Sequence, residues 1–115
     1  MNQPEAVEQI SPLVAVRLLA DGAALIDVRE PEEWQIGRAP EAQHIPLGEL
    51  GARLGELPVG RRLIMVCRSG ARSNAAAITL VGVGFPALNL AGGMQAWKQA
   101  ALPVVTDGEL PGDVA

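Results

Sequence analysis

The chain has 115 residues, of which 49% are apolar and 19% charged, with 13 Gly, 9 Pro and a net charge of −4. This length and composition predict one globular domain and exclude a disordered, fibrous or low-complexity chain. Four of the nine basic residues lie within residues 61–72, so the cationic charge is local and fits a small anion better than a nucleic acid.

The first half of the chain alternates short strands with short helices. Ser11 and Pro12 form a helix start, and Asp21 and Gly22 form a helix stop. Three acidic residues around Pro31 suit the first turn of a second helix. The predicted elements are a strand over 7–10, a helix over 11–20, a strand over 24–28, a helix over 30–37, a brief strand over 43–47 and a helix over 47–57.

The second half contains the strongest strand signal, an apolar run bounded by a turn before it and polar residues after it. Residues 104–115 have scattered acids, Gly and Pro without periodicity, so a domain over 1–105 and a poorly ordered tail over 106–115 are expected. Strands alternating with helices predict an α/β fold with a parallel sheet covered on both faces. The elements are a strand over 62–67, a helix over 73–82, a strand over 87–90 and a helix over 94–100.

Three features of the sequence bear on disulfide and metal sites, on cellular location and on membrane insertion. The single cysteine, Cys67, excludes an internal disulfide and a multi-thiolate metal site, and no metal or cofactor is expected. The N-terminal residues lack the basic and apolar regions of a secretory signal, so a cytoplasmic location is expected. Residues 73–97 carry no charge, but Gly and Pro divide them into pieces shorter than the roughly 20 residues of a membrane span.

Cys67 ends the strongest predicted strand, and a glycine-containing loop and a helix start follow it. Such a loop presents backbone N–H groups to an anion. The helix N-terminus and the neighbouring Arg68 and Arg72 are expected to lower the pKa of the thiol. A lone cysteine is often only a small buried hydrophobe, but two arginines and a glycine in this loop serve no obvious packing purpose. Cys67 is therefore predicted to be a nucleophile for a small anionic substrate.

Three motifs, in family order, carry a resemblance to a known family. Residues 67–73, Cys-Arg-Ser-Gly-Ala-Arg-Ser, resemble the active-site loop of the rhodanese family of sulfurtransferases. Residues 25–34 resemble the N-terminal signature of that family, and residues 84–97 resemble the C-terminal one. The resemblance covers about residues 7–105 and implies a single-domain rhodanese with a five-stranded parallel sheet flanked by helices on both faces.

The resemblance also implies a reaction. Cys67 would take sulfur as a persulfide from a small anionic donor such as thiosulfate and pass it to cyanide, a thiol or a protein acceptor, in a ping-pong scheme. Asp27 and Arg29 match residues that support the structure. The donor-binding residues implied are Arg68, Ser69, Gly70, Ala71, Arg72 and Ser73.

The chain departs from the family at one turn, where Arg38 replaces the usual histidine. His44 is interpreted as structural, and Trp34 and Trp97 as core residues.

Two other functions are compatible with the resemblance. Phosphatases and arsenate reductases of this fold place five residues between the cysteine and the arginine, whereas four lie between Cys67 and Arg72. Rhodanese-like domains also occur as interaction modules, but these often lose the cysteine, which this chain keeps. A sulfur relay loaded by a partner protein would look the same in sequence.

Overall fold

The computed structural model describes residues 6–115; the first five residues, on which part of the expectation about the N-terminus rests, lie outside it. The strands are β1 (Gln9–Ile10), β2 (Ala24–Asp27), β3 (Gln43–His44), β4 (Leu63–Val66) and β5 (Ala87–Leu90). The α-helices are α1 (Pro12–Ala20), α2 (Pro31–Ile36), α3 (Leu47–Leu50), α4 (Ala71–Gly82) and α5 (Gly93–Gln99). No helix within residues 6–115 is both long enough and apolar enough to cross a bilayer.

The five strands form one parallel sheet in the order β1-β5-β4-β2-β3. β4 lies at the centre, and all four of its residues are buried. A strand covered on both faces has no polar side, which explains its unbroken apolar run. In the register of β2 with β4, Asp27 lies beside Val66, the residue before Cys67.

Each face of the sheet buries its own apolar core. On one face Met65 and Cys67 pack with Ala76 and Leu80 of α4. On the other, Ile64 packs among residues of α1 and α5. The predicted α/β fold, with a five-stranded parallel sheet and helices on both faces, is thus confirmed.

Apart from the helix predicted over 47–57, helix boundaries differ from the predictions by at most two residues. The Ser11 hydroxyl accepts the Val14 N–H at 3.2 Å and caps α1 as expected. α4 begins at Ala71 rather than near Ser73, because Gly70, with φ of 109°, turns the chain directly into the helix. The leucine-rich helix predicted over 47–57 is only one α-turn followed by a 3₁₀ segment, Gly51–Glu56, that is kinked at Arg53.

The C-terminal segment runs along α2 and the turn after it, and the poor order expected for residues 106–115 stays a prediction. Arg38 and Val105 exchange backbone hydrogen bonds of 2.9 and 2.8 Å, and a short 3₁₀ turn follows at Asp107–Glu109. The Asp113 N–H then donates to the Ile36 carbonyl at 3.1 Å. These bonds join positions far apart in sequence, so no local periodicity reveals them.

Candidate active site

The Cys67 side chain lies in a cradle of hydrogen-bond donors directly after β4. Its sulfur accepts the N–H of Gly70 at 3.2 Å and the N–H of Ser73 at 3.3 Å. The Ser73 hydroxyl lies at 3.3 Å from the same sulfur. Cys67 is only 1% exposed, so these donors replace water around it. Of the loop amides predicted to bind an anion, those of Gly70 and Ser73 contact the sulfur.

The cradle favours the ionised form of the thiol. Burial alone would raise the pKa of Cys67, but hydrogen bonds from the Ser73 hydroxyl and from the amides of Ser73 and Gly70 outweigh it and hold the pKa below its ordinary value. The lowered pKa that the sequence predicts is therefore present. The pKa of Cys67 is lowered mainly by this set of N–H and O–H donors. From the sequence, the arginines are expected to lower it as well.

The backbone of the cysteine loop is held by the start of α5. The Met94 N–H donates to the Cys67 carbonyl at 2.8 Å, and the Gln95 N–H donates to the Arg68 carbonyl at 3.0 Å. This approach requires a glycine, because a Cβ on Gly93 would lie 2.6 Å from the Arg68 carbonyl carbon. The sequence suggests only a turn at Gly92 and Gly93. Their position in the C-terminal signature is the one available sign of this contact.

The two loop arginines point to different places. Arg72 forms a bidentate ion pair with Glu33 at 2.8 and 2.9 Å. Glu33 and the charge of the Cys67 thiolate both raise the pKa of Arg72, so this guanidinium stays charged beside the site. The Arg68 side chain instead extends to the carbonyl of Ala115 and lies beside Lys98. Its part in donor binding stays a prediction.

Glu33 is a site residue that sequence reasoning missed. Its side chain is 19% exposed and joins α2 to α4 through Arg72. It also accepts the N–H of Glu30 at 3.0 Å and so caps its own helix. The hydrogen bonds from Arg72, partly opposed by burial, lower its pKa to about 2. Glu33 therefore fixes the position of the Arg72 guanidinium.

Replacing Glu33 with glutamine is expected to flatten the acid dependence of stability. Because the folded-state pKa of about 2 is below the ordinary value of 4.5, the carboxylate stabilises the fold above pH 4.5 and ceases to do so as the pH falls through 2. At pH 7 the variant should lose about 2 kcal/mol of unfolding free energy, after allowance for solvent screening. Urea unfolding from pH 7 to pH 2 measures this difference.

The matched control is Glu32→Gln, since Glu32 is exposed on the same helical turn. It should stay within about 0.5 kcal/mol of the wild type throughout. If the difference in unfolding free energy between Glu33→Gln and the wild type is the same at pH 2 as at pH 7, the lowered pKa of Glu33 is contradicted.

Asp27 and Arg29 form a fully buried ion pair at the end of β2. Arg29 Nη2 lies 2.7 Å from Asp27 Oδ2 and also donates to the Gly37 carbonyl at 2.8 Å. The Arg29 N–H and Nε–H both donate to Asp27 Oδ1 at 3.0 Å. The pair ties the strand end beside Val66 to the turn after α2, which agrees with a supporting role.

Arg38, the residue in place of the usual histidine, takes part in a three-layer stack. The rings of Trp34 and His44 are parallel within 7° and 4.5 Å apart, and the Arg38 guanidinium lies 4.6 Å from the indole centroid. His44 Nε2 lies 2.8 Å from the Arg29 carbonyl. The geometry therefore agrees with a structural histidine. Trp34 is only half-buried, whereas Trp97 lies in the core.

Comparison with known proteins agrees with this architecture. The model of the rhodanese-like domain family matches residues 11–100. A sulfurtransferase of Allochromatium vinosum is 40% identical over 82 residues, which are 70% of this chain and 77% of that protein. The thiosulfate sulfurtransferase GlpE of Pseudomonas syringae is 32% identical over 92 residues, which are 79% of this chain and 87% of that protein.

A solved structure shows the same fold. The crystal structure of a rhodanese-related protein from Thermoplasma volcanium matches with a TM-score of 0.81 and 28% identity, over 87% of this chain and 99% of that one. The family match covers most of the chain, and the sulfurtransferase relatives match over more than two thirds of their own length. The chain therefore belongs to the rhodanese-like domain family and is a relative of its sulfurtransferases.

Proposed function

We propose that the protein is a sulfurtransferase that carries sulfane sulfur on Cys67, with thiosulfate or a similar small anion as the donor. The observation that carries this proposal is the Cys67 sulfur in its cradle of amides, with a pKa below the ordinary value. A thiolate is the nucleophilic form of cysteine. The name of GlpE supports thiosulfate as the donor class.

The first half-reaction moves one sulfur atom to the enzyme. The Cys67 thiolate attacks the outer sulfur of thiosulfate, and a new S–S bond forms as the S–S bond of the donor breaks. Sulfite leaves with the electron pair. The terminal sulfur of the resulting persulfide is negatively charged, and the N–H groups around Cys67 stabilise it. The positive charge of Arg72 suits both the donor and the product.

The second half-reaction returns Cys67 to the thiolate. Cyanide or an acceptor thiolate attacks the terminal sulfur, and the bond between the two sulfurs breaks with its electron pair on Cys67. The products are thiocyanate or an acceptor persulfide, and no external oxidant or reductant is needed. Since Cys67 is the only cysteine, discharge of the persulfide requires an acceptor from outside the chain.

Intact-protein mass spectrometry tests the proposal. After incubation with thiosulfate, the wild type should gain one sulfur atom, and addition of cyanide should remove it with formation of thiocyanate. Cys67→Ser is the matched control and should gain nothing. A gain of sulfur on both proteins would contradict the assignment of Cys67.

Three other results would favour the alternatives. Loading from a persulfide-carrying protein, but not from thiosulfate, would indicate a partner-fed sulfur relay. Hydrolysis of p-nitrophenyl phosphate that depends on Cys67, without sulfur loading, would indicate a phosphatase. Absence of all three activities would leave an interaction module.

A further inference from the structure

A buried amide on β5 lies behind the cysteine loop. Asn89 is 2% exposed, and its Nδ2 donates to the Gly70 carbonyl at 3.2 Å and to Gln9 Oε1 at 2.7 Å. A backbone carbonyl can only accept a hydrogen bond, so the Asn89 nitrogen must face Gly70. The Asn89 Oδ1 atom therefore faces the Ser73 hydroxyl, at an O–O distance of 2.6 Å.

The Ser73 hydroxyl has one proton and more than one acceptor. Asn89 Oδ1 lies at 2.6 Å, whereas the Cys67 sulfur and the Gly70 carbonyl each lie at 3.3 Å. A hydroxyl donates one hydrogen bond at a time. When it donates to Asn89, the sulfur keeps only backbone amides of the loop as donors.

Ionisation of Cys67 changes which acceptor binds the Ser73 hydroxyl proton more favourably. In the thiol form, the S–H group donates to Ser73 Oγ, while the Ser73 O–H donates to Asn89, so every group is paired. In the thiolate form the sulfur is stabilised further if the hydroxyl donates to it as well. If the hydroxyl turns to it, Asn89 Oδ1 faces another oxygen at 2.6 Å without a proton between them. The loss of the hydrogen bond to Asn89 opposes rotation of the Ser73 hydroxyl toward the sulfur.

We propose that Asn89 is a positioning residue of the site, which competes with the Cys67 sulfur for the Ser73 hydroxyl proton and so limits the stabilisation of the anionic sulfur. This inference deepens the proposed function and rests on Cys67 as the sulfur carrier. Asn89 would restrain the reactivity of Cys67 and keep its thiol form paired when no donor is present.

The rate of Cys67 alkylation by iodoacetamide across pH tests this competition. Asn89→Leu removes the competing oxygen at similar volume, so the midpoint of the profile should move to lower pH and the rate on the acidic limb should rise about tenfold. In a Ser73→Ala background the same substitution should give no rise. Gln9→Leu, which removes the outer partner of Asn89, is the control for general loosening of the network.

The competing explanation is that Asn89 merely supports the loop. In that case Asn89→Leu would slow alkylation or move the midpoint to higher pH, and either result would overturn the proposal. The smaller substitution Asn89→Ala should shift the profile in the same direction as Asn89→Leu. Circular dichroism verifies that each variant is folded.

A wild-type measurement covers the case in which neither variant folds. The Asn89 side-chain carbonyl ¹³C resonance should titrate with the same midpoint as Cys67, because the hydroxyl leaves Asn89 as the thiolate forms, and Ser73→Ala should greatly reduce this change. A resonance that does not respond to the ionisation of Cys67 would overturn the proposal.

None of the substitutions in these comparisons removes the charged groups around the loop. They are Arg68, Arg72 with its partner Glu33, the Asp27–Arg29 pair at the end of β2, and Lys98 on α5. Because alkylation measures the thiolate itself, the competition can fail while Cys67 still loads with sulfur. If the alkylation profiles shift as expected but Cys67 does not load with sulfur, only the proposed function is overturned.

Discussion

Replacing Arg29 with methionine should lower the free energy of unfolding by about 3–5 kcal/mol at pH 7. The variant leaves the Asp27 carboxylate fully buried without its partner and removes the donor to the Gly37 carbonyl. An uncompensated buried charge is among the most destabilising of single changes. Urea unfolding followed by circular dichroism measures the loss.

Two controls separate the pair from general effects at arginines. Arg17→Met, at an exposed position of α1, should stay within about 0.5 kcal/mol of the wild type. The double variant Asp27→Leu with Arg29→Met should recover much of the loss, since no charge is then left unpaired. A loss below about 1 kcal/mol in Arg29→Met alone would show that the pair does not hold this end of the sheet.

Gly93→Ala is expected to slow sulfur loading of Cys67 by at least about tenfold, since misplacement of a reacting group by about 1 Å can cost more than this. A Cβ at this position would clash with the carbonyls of Cys67 and Arg68, while φ of 60° is itself costly for alanine. The loop must then move away from α5, and the donors around the sulfur lose their alignment. Mass spectrometry of single-turnover loading gives the rate.

Gly60→Ala is the matched control, because Gly60 has a similar φ of 74° but a Cβ added there would meet nothing within 4 Å. It should show the cost of backbone strain, about 1 kcal/mol, without slower loading. Equal loading by Gly93→Ala and the wild type would mean that contact with α5 does not align the loop.

Much of the fold could be predicted because its signals are local. The apolar run of β4 and the Ser11 cap are each read from a few neighbouring residues, and alternation of strands with helices then predicts a parallel sheet. The predicted start of α4 is two residues late because the uncharged stretch begins at Ser73. The helix in fact starts where Gly70 changes the backbone direction.

At the candidate site, the sequence by itself determined the position of Cys67 at a strand end and the family, and it predicted that the loop after Cys67 binds an anion. Only the tertiary structure decided which residues contact the loop. Glu33 pairs with Arg72, Asn89 accepts a hydrogen bond from Ser73, and Gly93 packs against the loop backbone. It also directed Arg68 outward and gave the C-terminal segment its course along Arg38. These contacts join residues distant in sequence, and their energy depends on atomic distances that composition and periodicity do not encode.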